Sequence, residues 1–129
     1  MREMMRRDAA SAMLGIAVEL DEPGRAVVSM TVRDDMLNGF AITHGGLVFA
    51  LADTAFAIAC NEDDRITVAA GADITFLKST GAGQVLTATA VRRVVSGRSG
   101  LYDVTVTDET GDVVAEFRGR SLTTNRTAD

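Results

Sequence analysis

Residues 43–60, THGGLVFALADTAFAIAC, make one apolar run broken by a single charge, Asp53. The run predicts a long helix with apolar residues on every side. Such a helix has to be buried on every side. It falls short of the roughly 20 residues that a membrane span needs, so protein rather than lipid must surround it. That requirement limits the fold to arrangements that wrap a central helix.

The rest of the chain supplies the wrapping. Residues 16–20 and 26–32 alternate apolar and polar positions around a Glu22-Pro23-Gly24 turn, the pattern of a hairpin. After the helix come four β-type runs, at 66–77, 84–95, 101–107 and 113–122. The links between them, 79–83, 96–100 and 108–112, contain glycine and are too short for crossover helices, so neighbouring strands run antiparallel. The layout is an α+β fold: two strands, one long helix, then four strands. A curved antiparallel sheet wraps the helix, and a second subunit covers what the sheet leaves open. Residues 1–14 predict a short N-terminal helix and 124–129 a frayed tail. With no repeat and no linker, 1–129 reads as a single domain.

Composition excludes several classes of function. The 129 residues suffice for one sizeable core, and 47% of them are apolar. The net charge of −5 argues against non-specific nucleic-acid binding. Residues 1–14 are also too short for a helix-turn-helix. They carry charges and lack the apolar stretch of a signal peptide, so a cytoplasmic protein is expected. Cys60 is the only cysteine and His44 the only histidine, which leaves no internal disulfide and no usual zinc ligand set. The two lie about 24 Å apart along one helix, too far to act as a nucleophile pair within one chain.

Chemistry concentrates on the helix. Gly45 and Gly46 stand at its first turn, where backbone N–H groups lack partners and the dipole is positive. They either open an oxyanion site or simply let the chain turn. Asp53 is costly to bury without a partner or a function. It is either a reactive carboxylate or one satisfied by a hydroxyl such as that of Thr54. Gly45 and Asp53 lie about 12 Å apart on the helix, beyond the reach of one reacting carbon. Two antiparallel helices would bring Asp53 of one toward the glycines of the other, which points to sites shared in a dimer.

The stretch NGFAITHGGLVFALADTAFAIACN, with ITFLKSTGAGQVLTATA and FRGRSLTT after it, resembles the hotdog-fold acyl-CoA thioesterases, most closely the phenylacetic-acid-degradation (PaaI-type) group. The spacing Asn-x5-His-Gly-Gly-x6-Asp carries the likeness, which covers about 38–122. It implies a sheet wrapped around one helix, dimers often assembled into tetramers, and hydrolysis of an acyl-CoA thioester without a metal or organic cofactor. It implies that Asp53 is the nucleophile or general base, that the Gly45 N–H polarises the carbonyl, and that Asn38 and His44 shape that end of the site. Ala41 stands where the family often has glycine. Ala69 and Ala70 stand where some relatives hold water with a hydroxyl.

Further residues are candidates for binding substrate. Gly46 and Thr54 flank the two reactive positions, and Phe49 and Phe56 share a helical face with Asp53, where they line an acyl pocket or belong to the core. Lys78, Arg92, Arg93, Arg98, Arg118 and Arg120 are candidates for the coenzyme A phosphates or are plain surface charges. The expected reaction is hydrolysis of a (hydroxy)phenylacetyl-CoA or medium-sized acyl-CoA. The competing readings are a non-catalytic acyl-CoA-binding module and a hotdog hydratase or dehydratase.

Overall fold

The computed structural model describes residues 2–127. Its elements run α1 (Glu3–Arg6), α2 (Ala9–Met13), β1 (Ala17–Glu22), β2 (Arg25–Thr31), α3 (Gly45–Cys60), β3 (Arg65–Phe76), β4 (Val85–Ser96), β5 (Ser99–Thr107) and β6 (Val113–Thr127). The six strands form one antiparallel sheet in the order β1-β2-β4-β5-β6-β3. The sheet curves around α3, which is the hotdog arrangement.

Alternation along the strands builds the concave face. Ala26, Val28 and Met30 of β2, Leu86, Ala88 and Ala90 of β4, Tyr102, Val104 and Val106 of β5, and Ala115 and Phe117 of β6 are all buried in one core with α3. The alternate residues face outward and pair across strands, as with Arg118–Asp103 and Thr105–Glu116. The many alanines let the helix lie close to the sheet. At Gly119 the approach is closest: an added Cβ would stand 2.7 Å from three ring atoms of Phe56. That ring is wedged between Tyr102 and Phe117, so it has nowhere to retreat. Gly119→Ala is therefore expected to cost about 1–3 kcal/mol by overpacking, read as a lower urea midpoint at unchanged slope.

Two features differ from the sequence expectation. The expected helix over 1–14 is split in two, with Met1 outside the described residues. Asp8 breaks it, because its carboxylate accepts from the Ser11 N–H at 2.9 Å and so caps a new helix. The tail expected to fray from 124 instead continues β6 as far as Thr127, beyond which residues 128–129 are not described. The Thr124 hydroxyl donates to the Ile66 carbonyl at 2.7 Å, and Thr67 and Thr123 share a hydroxyl bond of 3.0 Å. Polar residues make poor core but good cross-strand partners, which is why a polar tail can still be strand.

Within one chain α3 is not buried all round, which agrees with the expectation that the sheet leaves part of the helix uncovered. Leu47, Phe49, Ala50, Asp53 and Ala57 form a half-exposed strip beside β3. β3 is an edge strand with β6 as its sheet neighbour, and Val68, Phe76 and Leu77 are exposed there.

Candidate active site

The start of α3 is held by its own cap. Met36 accepts the His44 N–H at 2.8 Å, and Thr80 accepts the Thr43 N–H at 2.9 Å. The His44 Nδ1 then accepts from the Gly46 N–H at 3.0 Å, so a neutral imidazole carries its proton on Nε2. The His44 carbonyl takes the Leu47 N–H at 2.9 Å. Of the first-turn donors, the Gly45 N–H alone has no acceptor among the described residues. It points out of the positive end of the helix dipole, which is the chemistry of an anion or carbonyl-oxygen site.

Asn38 lies beside that donor. Its Oδ1 is taken by the N–H groups of Phe40 at 2.9 Å and Ile42 at 3.4 Å, so only its amide NH2 is left to face a ligand. Asn38 and Gly45 line a small pocket of about 320 Å³ with Phe76, Lys78 and Thr80. His44 and Gly46 line a different one, on the other side of the helix start. The loop that carries Asn38 turns through Ala41 at φ +60°, where glycine is the unstrained residue. Ala41→Gly is expected to raise stability by up to about 1 kcal/mol, seen as a higher Tm.

Asp53 sits two turns further along α3, half-buried, and no donor among the described residues bonds its carboxylate. Burial pushes its carboxyl above the ordinary range, and the negative charge of Asp8 adds to the effect. It opens into a cleft of about 900 Å³ that also contains Phe56, Ala57, Val68 and Ala69. The two polar centres thus lie in separate pockets of one chain, about 12 Å apart by helix rise.

Residues 40–115 match the Thioesterase superfamily, more than half of the chain. The chain belongs to that superfamily. Among its relatives is the acyl-coenzyme A thioesterase PaaI of Escherichia coli K12, 45% identical over 118 residues, which are 92% of this chain and 84% of the relative. The solved structure of the E. coli PaaI protein from the phenylacetic acid degradation operon superposes with a TM-score of 0.93 at 44% identity, covering 96% of this chain and 90% of that one. A Streptococcus mutans protein solved with acetyl-CoA bound superposes at 0.82 and 25% identity, covering 88% and 91%.

The other candidate residues of this thioesterase scatter. Phe56 is only 1% exposed and belongs to the core, reaching the cleft as part of its floor. Phe49 stacks edge-on against Phe117 at 5.2 Å and is half-buried. Thr54 is buried, and its hydroxyl bonds neither Asp53 nor a helix end: it meets the Ser11 hydroxyl at 3.0 Å, which in turn donates to Asp8 at 2.7 Å. Burial pushes the Cys60 thiol up to about 12, which leaves it unreactive.

The basic residues are mostly engaged. Lys78 holds Asp108 at 2.6 Å and Asp112 at 2.8 Å. Arg92 pairs with Glu62, Arg118 grips Asp103 at 2.7 and 2.9 Å, Arg93 shares Asp103 at 3.4 Å, and Arg120 pairs with Asp73 at 2.9 Å. Arg98 has no carboxylate within ion-pair distance among the described residues. Lys78 shares the Gly45 pocket, whereas Arg92 and Arg98 lie together near the other end of α3.

Three neighbours of the candidate site have no counterpart in the sequence expectation. The Phe76 ring covers Gly45, 3.1 Å from where a Cβ would stand. Its signal was an aromatic residue at the end of a strand that must lie along the helix. Asp8 and Ser11 have no local signal, since only tertiary folding brings them to Thr54.

Proposed function

We propose that the protein hydrolyses acyl-CoA thioesters, with a phenylacetyl-like or medium-sized acyl group, at sites shared by two copies of the chain. The observation that carries this is the pairing of an unused Gly45 N–H with an unbonded, half-buried Asp53 on one helix, too far apart to meet on one substrate. The likeness to PaaI supports the substrate class.

In this reading the thioester oxygen accepts the Gly45 N–H, oriented by the Asn38 amide. The partner subunit's Asp53 attacks the carbonyl carbon or takes a proton from the attacking water. The tetrahedral oxyanion stays on the Gly45 donor until the C–S bond breaks and coenzyme A leaves as the thiolate. If Asp53 has attacked, water then hydrolyses the acyl–Asp53 anhydride and frees the acid and the carboxylate; if Asp53 has taken the proton of water, that proton passes to the departing thiolate. Coenzyme A is part of the substrate, and the residues named use no further cofactor. The exposed edge of β3 supports the pairing, since an unpaired edge with Val68, Phe76 and Leu77 bare invites a second copy. Ala50 and Ala57 flank Asp53 on the open strip and are small enough for a second α3 to approach. Pairs of such dimers as a tetramer, in the cytoplasm, complete the reading. No helix among the described residues is long and apolar enough to cross a membrane.

The direct test is release of free thiol from a panel of acyl-CoAs that includes phenylacetyl-CoA and straight chains. Turnover of phenylacetyl-CoA or medium chains is expected. Binding without release from any of them would leave an acyl-CoA-binding module instead. The reaction needs Asp53 ionised, so the acid limb of kcat/KM is expected above the ordinary carboxylate range. Asp8→Asn keeps an equally good helix cap but removes the nearby charge, so it should move that limb to lower pH.

A further inference from the structure

The first described residues, from Arg2 on, are fastened to the fold. Arg2 donates to the carbonyls of Ile58 and Asn61, the former at 2.7 Å, at the end of α3, and pairs with Asp21 at 2.7 Å. Met5 and Leu14 are buried in the core. At the other end Ser11 bonds Thr54 at 3.0 Å, next to Asp53. The segment is thus strapped to α3 at Arg2 and at Ser11, and Arg2, Glu3, Met4 and Arg7 form one wall of the Asp53 cleft.

Across the cleft stand Ala57 of α3 and Ile66, Val68 and Ala69 of β3. From Asp53 the space runs along α3 toward Asn61, about 12 Å by helix rise, and Arg2 lies at that far end. A group attached to a carbonyl beside Asp53 would pass between Met4 on one side and Ala57, Ile66 and Val68 on the other, in a cleft whose remaining lining includes the charged Arg2, Glu3, Arg7 and Asp64. Met4 is half-buried and packed against the core, and methionine adapts its shape to what lies beside it.

We propose that the strapped segment 2–14 is the specificity wall of the acyl site, with Met4 the residue that sets which acyl groups fit between α1 and β3. The proposal rests on the thioesterase reading and names a determinant of that same site. Its ligand is a compact apolar acyl group, aromatic or short-chain, lying along the second half of α3.

The test compares kcat/KM for phenylacetyl-, octanoyl- and dodecanoyl-CoA in wild type, Met4→Ala and Met4→Phe. Met13→Ala serves as control, because Met13 lies on the same segment at 66% exposure outside the cleft. Shortening Met4 is expected to raise the ratio of dodecanoyl- to phenylacetyl-CoA at least about tenfold, since a methylene in an apolar pocket is worth that much. Met4→Phe should lower the same ratio, and Met13→Ala should leave it alone. Folded, active Met4 variants with the ratio unmoved would overturn the wall. A second arm measures binding of the hydrolysis-inert thioethers S-octyl- and S-dodecyl-CoA. If the wild type cleaves no thioester but Met4→Ala shifts thioether preference toward the longer chain, the thioesterase reading fails and the wall stands. Thioether binding that Met4→Ala does not shift, or no binding at all, overturns the wall as well.

Discussion

Asp53→Asn is expected to fold like the wild type and to lose thioester hydrolysis by about 10²- to 10⁴-fold, the usual contribution of a positioned base. The amide keeps the shape of the carboxyl but can neither attack the thioester carbon nor accept a proton from water. Stability should move the other way. The folded-state carboxyl is raised above its unfolded value, first by burial and then by Asp8. Ionisation of Asp53 therefore opposes folding, absent below the unfolded pKa and in full above the folded one. At neutral pH the amide removes that opposition, so the variant should melt at or above the wild-type temperature. The difference should shrink as pH falls through the folded pKa. A well-folded Asp53→Asn protein with near-normal turnover would take Asp53 out of the chemistry.

Gly45→Val should be nearly as damaging, about 10²- to 10³-fold in kcat, the loss seen when one oxyanion donor is removed. The geometry gives two reasons. The new side chain would stand over the donor. Its Cβ would also press on the Phe76 ring, 3.1 Å away, which lines the same pocket as Gly45. An unchanged rate would move the oxyanion site elsewhere. The two inactive variants also test whether sites are shared. In a mixed dimer one site draws both altered elements, and the other draws an intact Asp53 and an intact Gly45. Random exchange makes about half the dimers mixed, so roughly a quarter of wild-type activity should return on co-expression or joint refolding. Verified mixed dimers without recovery would mean that each chain completes its own site.

Much of this was legible in the residues. The helix announced itself because an apolar run bounded by His44-Gly45-Gly46 and Asn61 has only one way to be buried. The strands followed from alternation, and their antiparallel order from the short glycine-containing links. The spacing from Asn38 to Asp53 singled out the two candidate centres, and helix rise sets Gly45 and Asp53 about 12 Å apart. What stayed hidden depends on register across the sheet. Arg118 meets Asp103 through the register of the β5–β6 hairpin, and Lys78 meets Asp108 because the end of β3 lies beside the start of β6, far along the chain. A list of arginines does not reveal which are already neutralised. Thr54 looked like a neighbour of Asp53 on the helix, yet its hydroxyl bonds Ser11, 43 residues away. Asn38 combined both kinds of information. Its place in the motif was local, while the use of its oxygen within the loop needed the turn at Ala41.

The order of strands in the sheet also sets an order in time. β3 leaves the ribosome directly after α3, but its sheet neighbour is β6, which emerges only once β4 and β5 have been made. Until then β3 has no ladder to join, and one flank of α3 stays wet. Pairing so distant in sequence is slow, because loop closure precedes any gain from contact. β3 should accordingly be among the last segments to acquire amide protection in pulse-labelled hydrogen exchange during refolding. In the proposed dimer, association through the edge of β3 would then be a post-synthetic event, and nascent chains would be held apart until β6 arrives.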